Sequence, residues 1–308
     1  MACRVMPAAR GRSAAVPERV TVLAPAKVNL RLCILAREES GYHALETLFC
    51  AISLADEVTV ARGDAGIRLE MEGGADAGPP ERNLAMRAAD RFYWEMGEAG
   101  AVDLHLAKNI PAAAGLGGGS SDAAAVLRAL NALHGEPLPR EVLMQMGIEL
   151  GADVPFFLCG SPYALAWGRG ERLMPLPPLP PRPVLVAHPG PAMPTPEAFA
   201  EVAALRGGSY QPRASLIDPA TLASWDTVAA LAVNDFEPVV TRRIPILTEA
   251  LAALRASGAA IALLAGSGSL IFAIFDDAIT RDTAAAHVEG LGLRTWASQT
   301  LGDSDCLG

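Results

Sequence analysis

Apolar and polar residues alternate over several short stretches in the first quarter of the chain, which is the pattern of half-buried strands. Glycines or charged residues separate one stretch from the next. Strands that follow one another at such short intervals favour an antiparallel sheet. The predicted strands are 19–24, 27–36, 43–52, 57–61 and 67–71.

Helical and strand periodicities alternate over the next hundred residues. Apolar residues recur every three or four positions in some segments and every second position in others. One helix begins after a run of glycines and is predicted to end at His134 and Gly135. The other predicted elements are helices 83–96 and 140–150 and strands 101–107 and 163–167.

Prolines crowd residues 175–183 and cannot continue a helix or a central strand, so this segment is the predicted boundary between two domains. The predicted ranges are 1–18 for a disordered extension, 19–178 and 182–300 for the domains, and 301–308 for a tail. Strands mixed with segregated helices indicate an α+β fold in both halves. Beyond the prolines, the predicted elements are strands 184–187, 259–264 and 270–275 and helices 196–205, 224–232 and 242–256.

The composition is typical of a folded protein, with 308 residues, 51% hydrophobic and 19% charged. A formal net charge of −9 argues against bulk attraction to nucleic acid or to an anionic membrane, and we expect neither partner. The cysteines are odd in number and never spaced as C-x-x-C, which favours reduced thiols and a cytoplasmic protein. They are Cys3, Cys33, Cys50, Cys159 and Cys306.

The run PAAAGLGGGSSDAAA, residues 111–125, carries four glycines at the start of a predicted helix. Glycines let backbone N–H groups converge on one point, and a helix N-terminus favours negative charge. Ser120 or Ser121 is the predicted N-cap, with Asp122 in the first turn. The run therefore predicts a phosphate site, for which a flexible turn is the alternative. It is not a Walker A sequence, and Ser120 stands where a dinucleotide motif has its third glycine.

Lysine is rare in this chain. Of the 25 Lys and Arg residues, only Lys27 and Lys108 are lysines. An ammonium is a compact charge with three donors, whereas a guanidinium is a broad planar fork, so the two are poor substitutes beside a phosphate in a tight site. Lys27 and Lys108 are therefore candidate phosphate-site residues, and chance retention in an arginine-rich composition is the alternative.

Three segments resemble, in order and spacing, the signature motifs of the GHMP small-molecule kinases. They are PAKVN at 25–29, the glycine run at 111–125, and LAGSGS at 264–269. Further segments are similar to the members of that family that act on a cytidine diphosphate-linked alcohol. These are GYH at 41–43, GADVP at 151–155, AHPG at 187–190 and PTP at 194–196. The likeness covers about residues 20–275 and implies a two-domain GHMP kinase fold with the active site in the cleft between the domains.

The resemblance implies that ATP, bound with Mg²⁺, phosphorylates the 2-hydroxyl of a cytidine diphosphate-linked methylerythritol in non-mevalonate isoprenoid biosynthesis. We expect a monomer or a weak homodimer. No dedicated protein site for Mg²⁺ is expected, and Ser121 and Asp153 are candidate contacts. Besides Asn83 and Lys108, which the resemblance places near the adenine, the implied ATP-binding residues are Pro111, Gly115, Leu116, Gly117, Gly118, Gly119, Ser120 and Ser121.

Asp153 is the candidate general base, and Lys27 is its candidate catalytic partner. The resemblance places Asp153 against the accepting hydroxyl, where a carboxylate within about 3 Å can take the proton as the O–P bond forms. Lys27 would lie close to Asp153 and offset charge in the transition state. Asp153 is also suited to cap a helix that begins near Pro155, and the two roles can coexist.

The resemblance assigns cytidine recognition to Tyr42, His43 and Phe199. Tyr42 and Phe199 are expected to stack on opposite faces of cytosine while His43 hydrogen bonds to its edge, and ordinary core packing is the alternative for each aromatic residue. Asn29 is expected to hold the methylerythritol hydroxyls, with Thr195 lining the same pocket. The third motif supplies Gly266, Ser267 and Gly268.

Other functions fit part of the pattern. A GHMP kinase for mevalonate, homoserine or a sugar would share the glycine loop and Asp153, but it would not need the three aromatic residues. A catalytically silent ligand sensor would bind nucleotide without turnover, and the retained Lys27 and Asp153 argue against it. A plain dinucleotide-binding domain is disfavoured because the predicted strands before the loop are antiparallel and form no βαβ unit. Ala112, Ala113 and Ala114 depart from the family pattern, which often has another glycine there.

Overall fold

The computed structural model describes residues 17–37, 43–73, 82–112, 115–190, 193–207 and 217–303. Tyr42, most of the predicted extension and most of the predicted tail therefore lie outside the described residues. Within these ranges, no helix is long and apolar enough to cross a membrane. The cysteines in these ranges, Cys33, Cys50 and Cys159, are thiols and not disulfides.

The strands of the described chain form one seven-stranded and one four-stranded sheet. The first sheet has the order β3-β4-β2-β1-β8, with β5 pairing to β2 and β6 to β5, and the second has the order β11-β7-β10-β9. The strands are β1 Arg19–Arg37, β2 His43–Arg62, β3 Gly66–Glu72, β4 Ala101–Ala107, β5 Tyr163–Gly168, β6 Arg172–Pro175, β7 Pro183–His188, β8 Val233–Asn234, β9 Ile261–Leu264, β10 Ile271–Ile274 and β11 Arg294–Gln299.

Two long strands replace four of the predicted short ones. β1 continues through Pro25, where the prediction had a break, because the ladder with β2 absorbs a register shift between Pro25 and Ala26. A second shift lies between Asn29 and Arg31. Such bulges bend a strand and re-aim its side chains without ending it. β2 likewise joins the predicted strands 43–52 and 57–61.

The expectation of a wholly antiparallel sheet is wrong for β3. This strand pairs in parallel with β4, from Gly66 opposite Ala101 to Glu72 opposite Ala107. A helix connects the two strands, and a crossover of this kind is what allows neighbouring strands to run in the same direction. The predicted absence of a parallel crossover before the glycine loop is therefore also wrong.

Helices cover the outer faces of the sheets. α2 packs on β1 and β2, and α7 and α8 pack on the second sheet. Two short 3₁₀ helices, Val154–Leu158 and Pro219–Ala223, are also present. The helices are α1 Leu84–Met96, α2 Gly118–Leu133, α3 Arg140–Leu150, α4 Thr195–Leu205, α5 Trp225–Leu231, α6 Glu237–Arg243, α7 Ile246–Ala256 and α8 Ala278–Gly290.

Two helix predictions need correction. α2 begins at Gly118, and its N-cap is Gly117 in the left-handed region, so Ser120 and Ser121 lie inside the first turn and do not cap it. The predicted helix 242–256 is two helices, because Pro245 between them has no backbone N–H to continue the helical hydrogen bonding. α8 and the strands β6, β8 and β11 were not predicted.

The two sheets share an apolar core. One buried cluster contains Val28 and Ile52 from the first sheet together with Val184 and Phe272 from the second. β8 also connects the halves, since it comes late in the chain yet pairs with β1 at Arg31 and Leu32. The predicted domain ranges stay a prediction.

Candidate active site

A cavity of about 900 Å³ opens where the two sheets and the glycine loop meet. Its lining comes from β1, β2 and α4, from the glycine loop, and from the segment before the first 3₁₀ helix. The residues predicted to act in catalysis or binding that line it are Lys27, Asn29, His43, Gly115, Gly117, Asp153, Thr195, Phe199, Gly266 and Ser267.

Lys27 and Asp153 face each other in this cavity. The Lys27 ammonium lies 3.4 Å from a carboxylate oxygen of Asp153 and 5.2 Å from the centre of the Phe49 ring. The Lys27 side chain is only 5% exposed, whereas that of Asp153 is 32% exposed. Asp153 is the N-cap residue of the 3₁₀ helix, as the alternative predicted, but its side chain makes no capping hydrogen bond. The exposed part of the carboxylate is thus available to a ligand in the cavity.

A chain of hydrogen bonds fixes the orientation of these groups. Lys27 Nζ donates to Asn29 Oδ1 at 2.8 Å, Asn29 Nδ2 donates to Thr47 Oγ1 at 2.7 Å, and the Thr47 hydroxyl donates to the carbonyl of Arg31 at 2.8 Å. Lys27 and Asn29 project to the same side because they are two residues apart on β1. The chain of donors leaves only one orientation for the Asn29 amide.

The glycine loop lies against both Lys27 and the third motif. The Lys27 N–H donates to the carbonyl of Leu116 at 2.9 Å. Gly115 and Gly117 have φ values of +75° and +74°, which side chains rarely adopt. A Cβ atom on Gly115 would lie 2.3 Å from the carbonyl oxygen of Ala265, and one on Gly117 would lie 3.1 Å from Lys27 Cγ. Glycine is therefore required at both positions for the three motifs to meet.

The first turn of α2 can accept an anion. Its N-cap residue is a glycine, so no side chain occupies the first amides of the helix. Ser121 Oγ is buried there without a hydrogen-bond partner among the described residues. Backbone donors and an orphan hydroxyl suit a phosphate with its Mg²⁺, which supplies charge neutralisation when bound.

Aromatic rings form the wall beside His43. The rings of His43 and Phe199 stack with centroids 4.3 Å apart and an interplanar angle of 13°, and Phe236 meets Phe199 edge to face at 4.8 Å. No third ring fits between His43 and Phe199 at this spacing. A cytosine on the face of Phe199 that His43 covers would therefore require the His43 ring to leave this stack.

Comparison with known proteins decides the family. The GHMP kinases N terminal domain matches residues 83–161, and the GHMP kinases C terminal domain matches residues 215–290. A 4-diphosphocytidyl-2-C-methyl-D-erythritol kinase of Geobacter sp. (strain M21) is 42% identical over 88% of this chain and 95% of its own. The kinase of that name from Thermus thermophilus is 42% identical over 92% of this chain and 97% of its own.

The chain belongs to the 4-diphosphocytidyl-2-C-methyl-D-erythritol kinase family of GHMP kinases. It is an ATP-dependent small-molecule kinase. A crystal structure of 4-(cytidine 5′-diphospho)-2C-methyl-D-erythritol kinase aligns with a TM-score of 0.77 at 38% identity, covering 92% of this chain and all of that one. A homoserine kinase of Cytophaga hutchinsonii shares the fold alone, with a TM-score of 0.71 at 19% identity. The predicted α+β GHMP kinase fold is confirmed.

Lys108 and Asn83 do not line the cavity. The Lys108 ammonium lies between the carboxylates of Asp56 and Asp122, and Asn83 caps α1 by accepting from the N–H of Ala85. The positive charge of Lys108 is therefore paired with two carboxylates of the protein itself. ATP contacts from Lys108 and Asn83 stay predictions, as do those of the remaining loop residues.

Asp122 is an anchor of the glycine loop and not a simple acid at a helix start. Burial raises its pKa to about 7, and this outweighs the attraction of Lys108, which Asp56 shares. Asp56 also accepts from the N–H groups of Asn109 and Ile110 at 2.5 and 2.8 Å. The cluster of Asp56, Lys108 and Asp122 thus connects the chain entering the glycine loop with the helix leaving it.

Several cavity residues were missed by sequence reasoning. Arg37, Thr47, Arg169 and Phe236 line the cavity together with the predicted residues. A period of two along β2, from His43 through Leu45 and Thr47 to Phe49, was the available signal for Thr47. Nothing local distinguishes the two arginines, because arginine is common throughout the chain.

Thr195 joins the cavity to the third motif. It is the first residue of α4, and its hydroxyl lies 2.7 Å from that of Ser267. The structure therefore brings the predicted substrate residue and the third motif into contact. The predicted role of Tyr42 lies outside the described residues and stays a prediction.

Proposed function

We propose that this protein transfers the γ-phosphoryl group of ATP to the 2-hydroxyl of 4-diphosphocytidyl-2-C-methyl-D-erythritol. The observation that carries the proposal is the contact of Lys27 with Asp153, at 3.4 Å, beside the glycine loop and in a cavity whose far wall is aromatic. One wall is suited to a reacting hydroxyl, and the other is suited to a flat base. The names of the closely related kinases support the same substrate.

The residues divide the chemistry between them. Asp153 orients the hydroxyl of the substrate and accepts its proton as the new O–P bond forms. The Lys27 ammonium offsets the negative charge that develops on the transferred phosphoryl group. Asn29 keeps the ammonium in place through the hydrogen bond at 2.8 Å and offers the cavity a polar group for the neighbouring hydroxyls.

The glycine loop positions the other substrate. Backbone N–H groups at the start of α2 point away from the helix and have no intrahelical partners, so they can donate to the oxygens of the triphosphate. Positioning and charge neutralisation are most of what phosphoryl transfer asks of a protein. Mg²⁺ bound to the phosphates would be contacted by Ser121, whose buried hydroxyl lacks a partner among the described residues.

The experiment is to incubate the purified protein with 4-diphosphocytidyl-2-C-methyl-D-erythritol, ATP and Mg²⁺ and to follow the reaction by phosphorus NMR. We expect one new phosphomonoester signal and one molecule of ADP for each molecule of substrate phosphorylated. Mevalonate, homoserine and free 2-C-methylerythritol are the comparison acceptors, and D153N is the control protein. ADP release that is faster with a plain acceptor would assign the protein to another substrate, and nucleotide binding without product would make it a sensor.

A further inference from the structure

The floor of the cavity is one face of β2. His43, Leu45, Thr47 and Phe49 alternate along this strand, and all four line the cavity. At a rise of about 3.4 Å per residue, the floor is about 20 Å long. Phe49 lies under the Lys27 ammonium at one end, and His43 stacks on Phe199 at the other.

Two arginines reach this floor from opposite sides of β2. Arg37 on β1 is opposite His43 in the ladder, so it lies at the aromatic end of the cavity. Arg169 follows Gly168 of β5, which is opposite Leu45 in the ladder on the other edge of β2. Both arginines are exposed, and both line the cavity. Gly170, the residue after Arg169, lies against the reacting groups, because a Cβ atom there would be 3.5 Å from Asp153 Oδ1. Arg37 therefore enters the cavity at its aromatic end, and Arg169 enters it between Leu45 and Asp153.

The charge of the cavity differs from that of the chain. Among the described lining residues, the cations are Lys27, Arg37 and Arg169, and the carboxylate is Asp153. That carboxylate lies at the far end, against Lys27. Two arginines therefore flank the stretch between the aromatic wall and the reacting groups, in a chain whose formal net charge is −9.

We propose that Arg37 and Arg169 bind the diphosphate that links the base to the alcohol of the substrate. This rests on the proposed function. A ligand with its base at His43 and its hydroxyl at Asp153 carries the linking phosphates over the floor near Leu45, one side-chain repeat or about 7 Å from His43. Guanidinium groups match phosphate oxygens with two parallel hydrogen bonds, and arginines on both sides of the floor suit two adjacent phosphates.

The consequence is selectivity for a diphosphate-linked substrate. A plain alcohol gains nothing from the two arginines, and a nucleoside without phosphates gains only the aromatic contacts. Cytidine diphosphate carries both the base, for the aromatic wall, and the diphosphate, for the two arginines. It has no methylerythritol hydroxyl to phosphorylate, so its Kd measures binding separately from catalysis.

The test measures binding of cytidine and of cytidine diphosphate by calorimetry, with R37M, R169M and the double variant. Each single variant is expected to raise the Kd of cytidine diphosphate about tenfold, and the double variant about a hundredfold, because charge-assisted hydrogen bonds are lost. The Kd of cytidine is expected to change less than about threefold. The KM for the full substrate is expected to rise in parallel with the Kd of cytidine diphosphate, while the KM for ATP stays the same.

R172M is the matched control. Arg172 is exposed, lies three residues after Arg169, and is absent from the cavity lining. The R172M substitution removes one positive charge close to the cavity but outside its lining. Its Kd values for cytidine and for cytidine diphosphate should therefore equal those of the wild type. The melting temperature of each variant, compared with that of the wild type, checks that the fold is intact.

Three results overturn the proposal. They are an unchanged Kd of cytidine diphosphate in the double variant, an equal loss for cytidine and its diphosphate, and a rise confined to the KM for ATP. Its failure is distinguishable from failure of the proposed function. If the wild type phosphorylates the substrate while the double variant binds cytidine diphosphate normally, only the arginine assignment is wrong.

Discussion

Lys27 shows how one side chain becomes functional through its neighbours. Its ammonium contacts Asn29 at 2.8 Å and Asp153 at 3.4 Å, and its backbone N–H reaches the glycine loop at Leu116. The side chain is almost fully buried, so its position is set by packing as well as by charge. Asp153 is the more exposed member of the pair and the one that an incoming hydroxyl can reach.

D153N and K27A are each expected to lower kcat at least about a hundredfold, because one removes the proton acceptor and the other the charge facing the transferred group. The melting temperature of D153N should change little, since the Asp153 side chain makes no capping hydrogen bond to the 3₁₀ helix. Rapid-quench measurement of a single turnover, with both substrates saturating, isolates the chemical step. A kcat near that of the wild type would remove the substituted residue from the mechanism.

At the scale of an element, α2 depends on the conformation of one glycine. Gly117 holds φ at +74°, and a Cβ atom there would press on Lys27 at 3.1 and 3.2 Å. A Cβ atom on Gly119, two residues later, would meet only the Leu84 side chain, at 3.8 Å, which is an ordinary van der Waals contact. The two glycines therefore differ in what they require of the backbone, although the sequence presents them as one run.

G117A and G119A form a matched pair of substitutions. G117A is expected to lower the free energy of unfolding by about 1 to 2 kcal/mol and to lower kcat by displacing Lys27. G119A, within the helix, is expected to raise that free energy by about 0.5 to 1 kcal/mol. Urea titrations and steady-state kinetics check both. Equal effects of the two substitutions on the free energy of unfolding would contradict the backbone argument.

The anchor of α2 predicts a dependence of stability on pH. The pKa of Asp122 is about 7 in the folded protein, above that of an exposed aspartate. Between these two values the folded state holds a proton that the unfolded state has lost, so stability falls as the pH rises from about 4 to about 7. The contribution is complete below the unfolded pKa and is lost above the folded one.

D122N removes this titration while keeping the shape of the side chain. The free energy of unfolding of the wild type, minus that of D122N, is expected to decrease by at least about 1 kcal/mol between pH 4 and pH 7.5. Urea denaturation at several pH values measures the difference. A difference that stays constant or increases with pH would show that Asp122 is ionised throughout.

At the scale of the whole molecule, the residues around Asn234 connect the two sheets. Asn234 is buried in β8, which pairs with β1, and its amide donates to the carbonyls of Leu264 and Gly266 at 2.8 Å each. Its Oδ1 accepts from the N–H of Phe236, whose ring meets Phe199 in the aromatic wall. One side chain thus positions the third motif relative to both the first sheet and the wall.

Asn234→Ala is expected to cost about 2 to 4 kcal/mol in the free energy of unfolding, because it leaves two buried carbonyls and a buried N–H without a partner. The catalytic efficiency should fall with it, since Gly266 packs against Gly115 of the glycine loop. Asn109→Ala is the control, because it removes an exposed amide that donates one hydrogen bond to Ala55. Similar losses in the two variants would refute the role of Asn234.

Prediction from the sequence succeeded where local chemistry decides the structure. The helix at α1 and the strand at β4 follow from the periodicity of their own residues. Prediction failed where pairing with a neighbouring strand decides the structure. Pro25 lies within a strand because β2 absorbs the register shift, and β8 is two residues long and exists because β1 pairs with it. No local pattern carries that information.

The sequence by itself determined the three motifs, the candidate pair of Lys27 and Asp153, and the α+β family, because these depend on residue types at fixed spacings. The tertiary structure decided that Lys108 faces Asp56 and Asp122, that Gly117 and not a serine caps α2, and that Arg37 and Arg169 share one cavity. These outcomes depend on strand register and burial. Both arise from contacts between residues that are distant along the chain, so only the folded molecule specifies them.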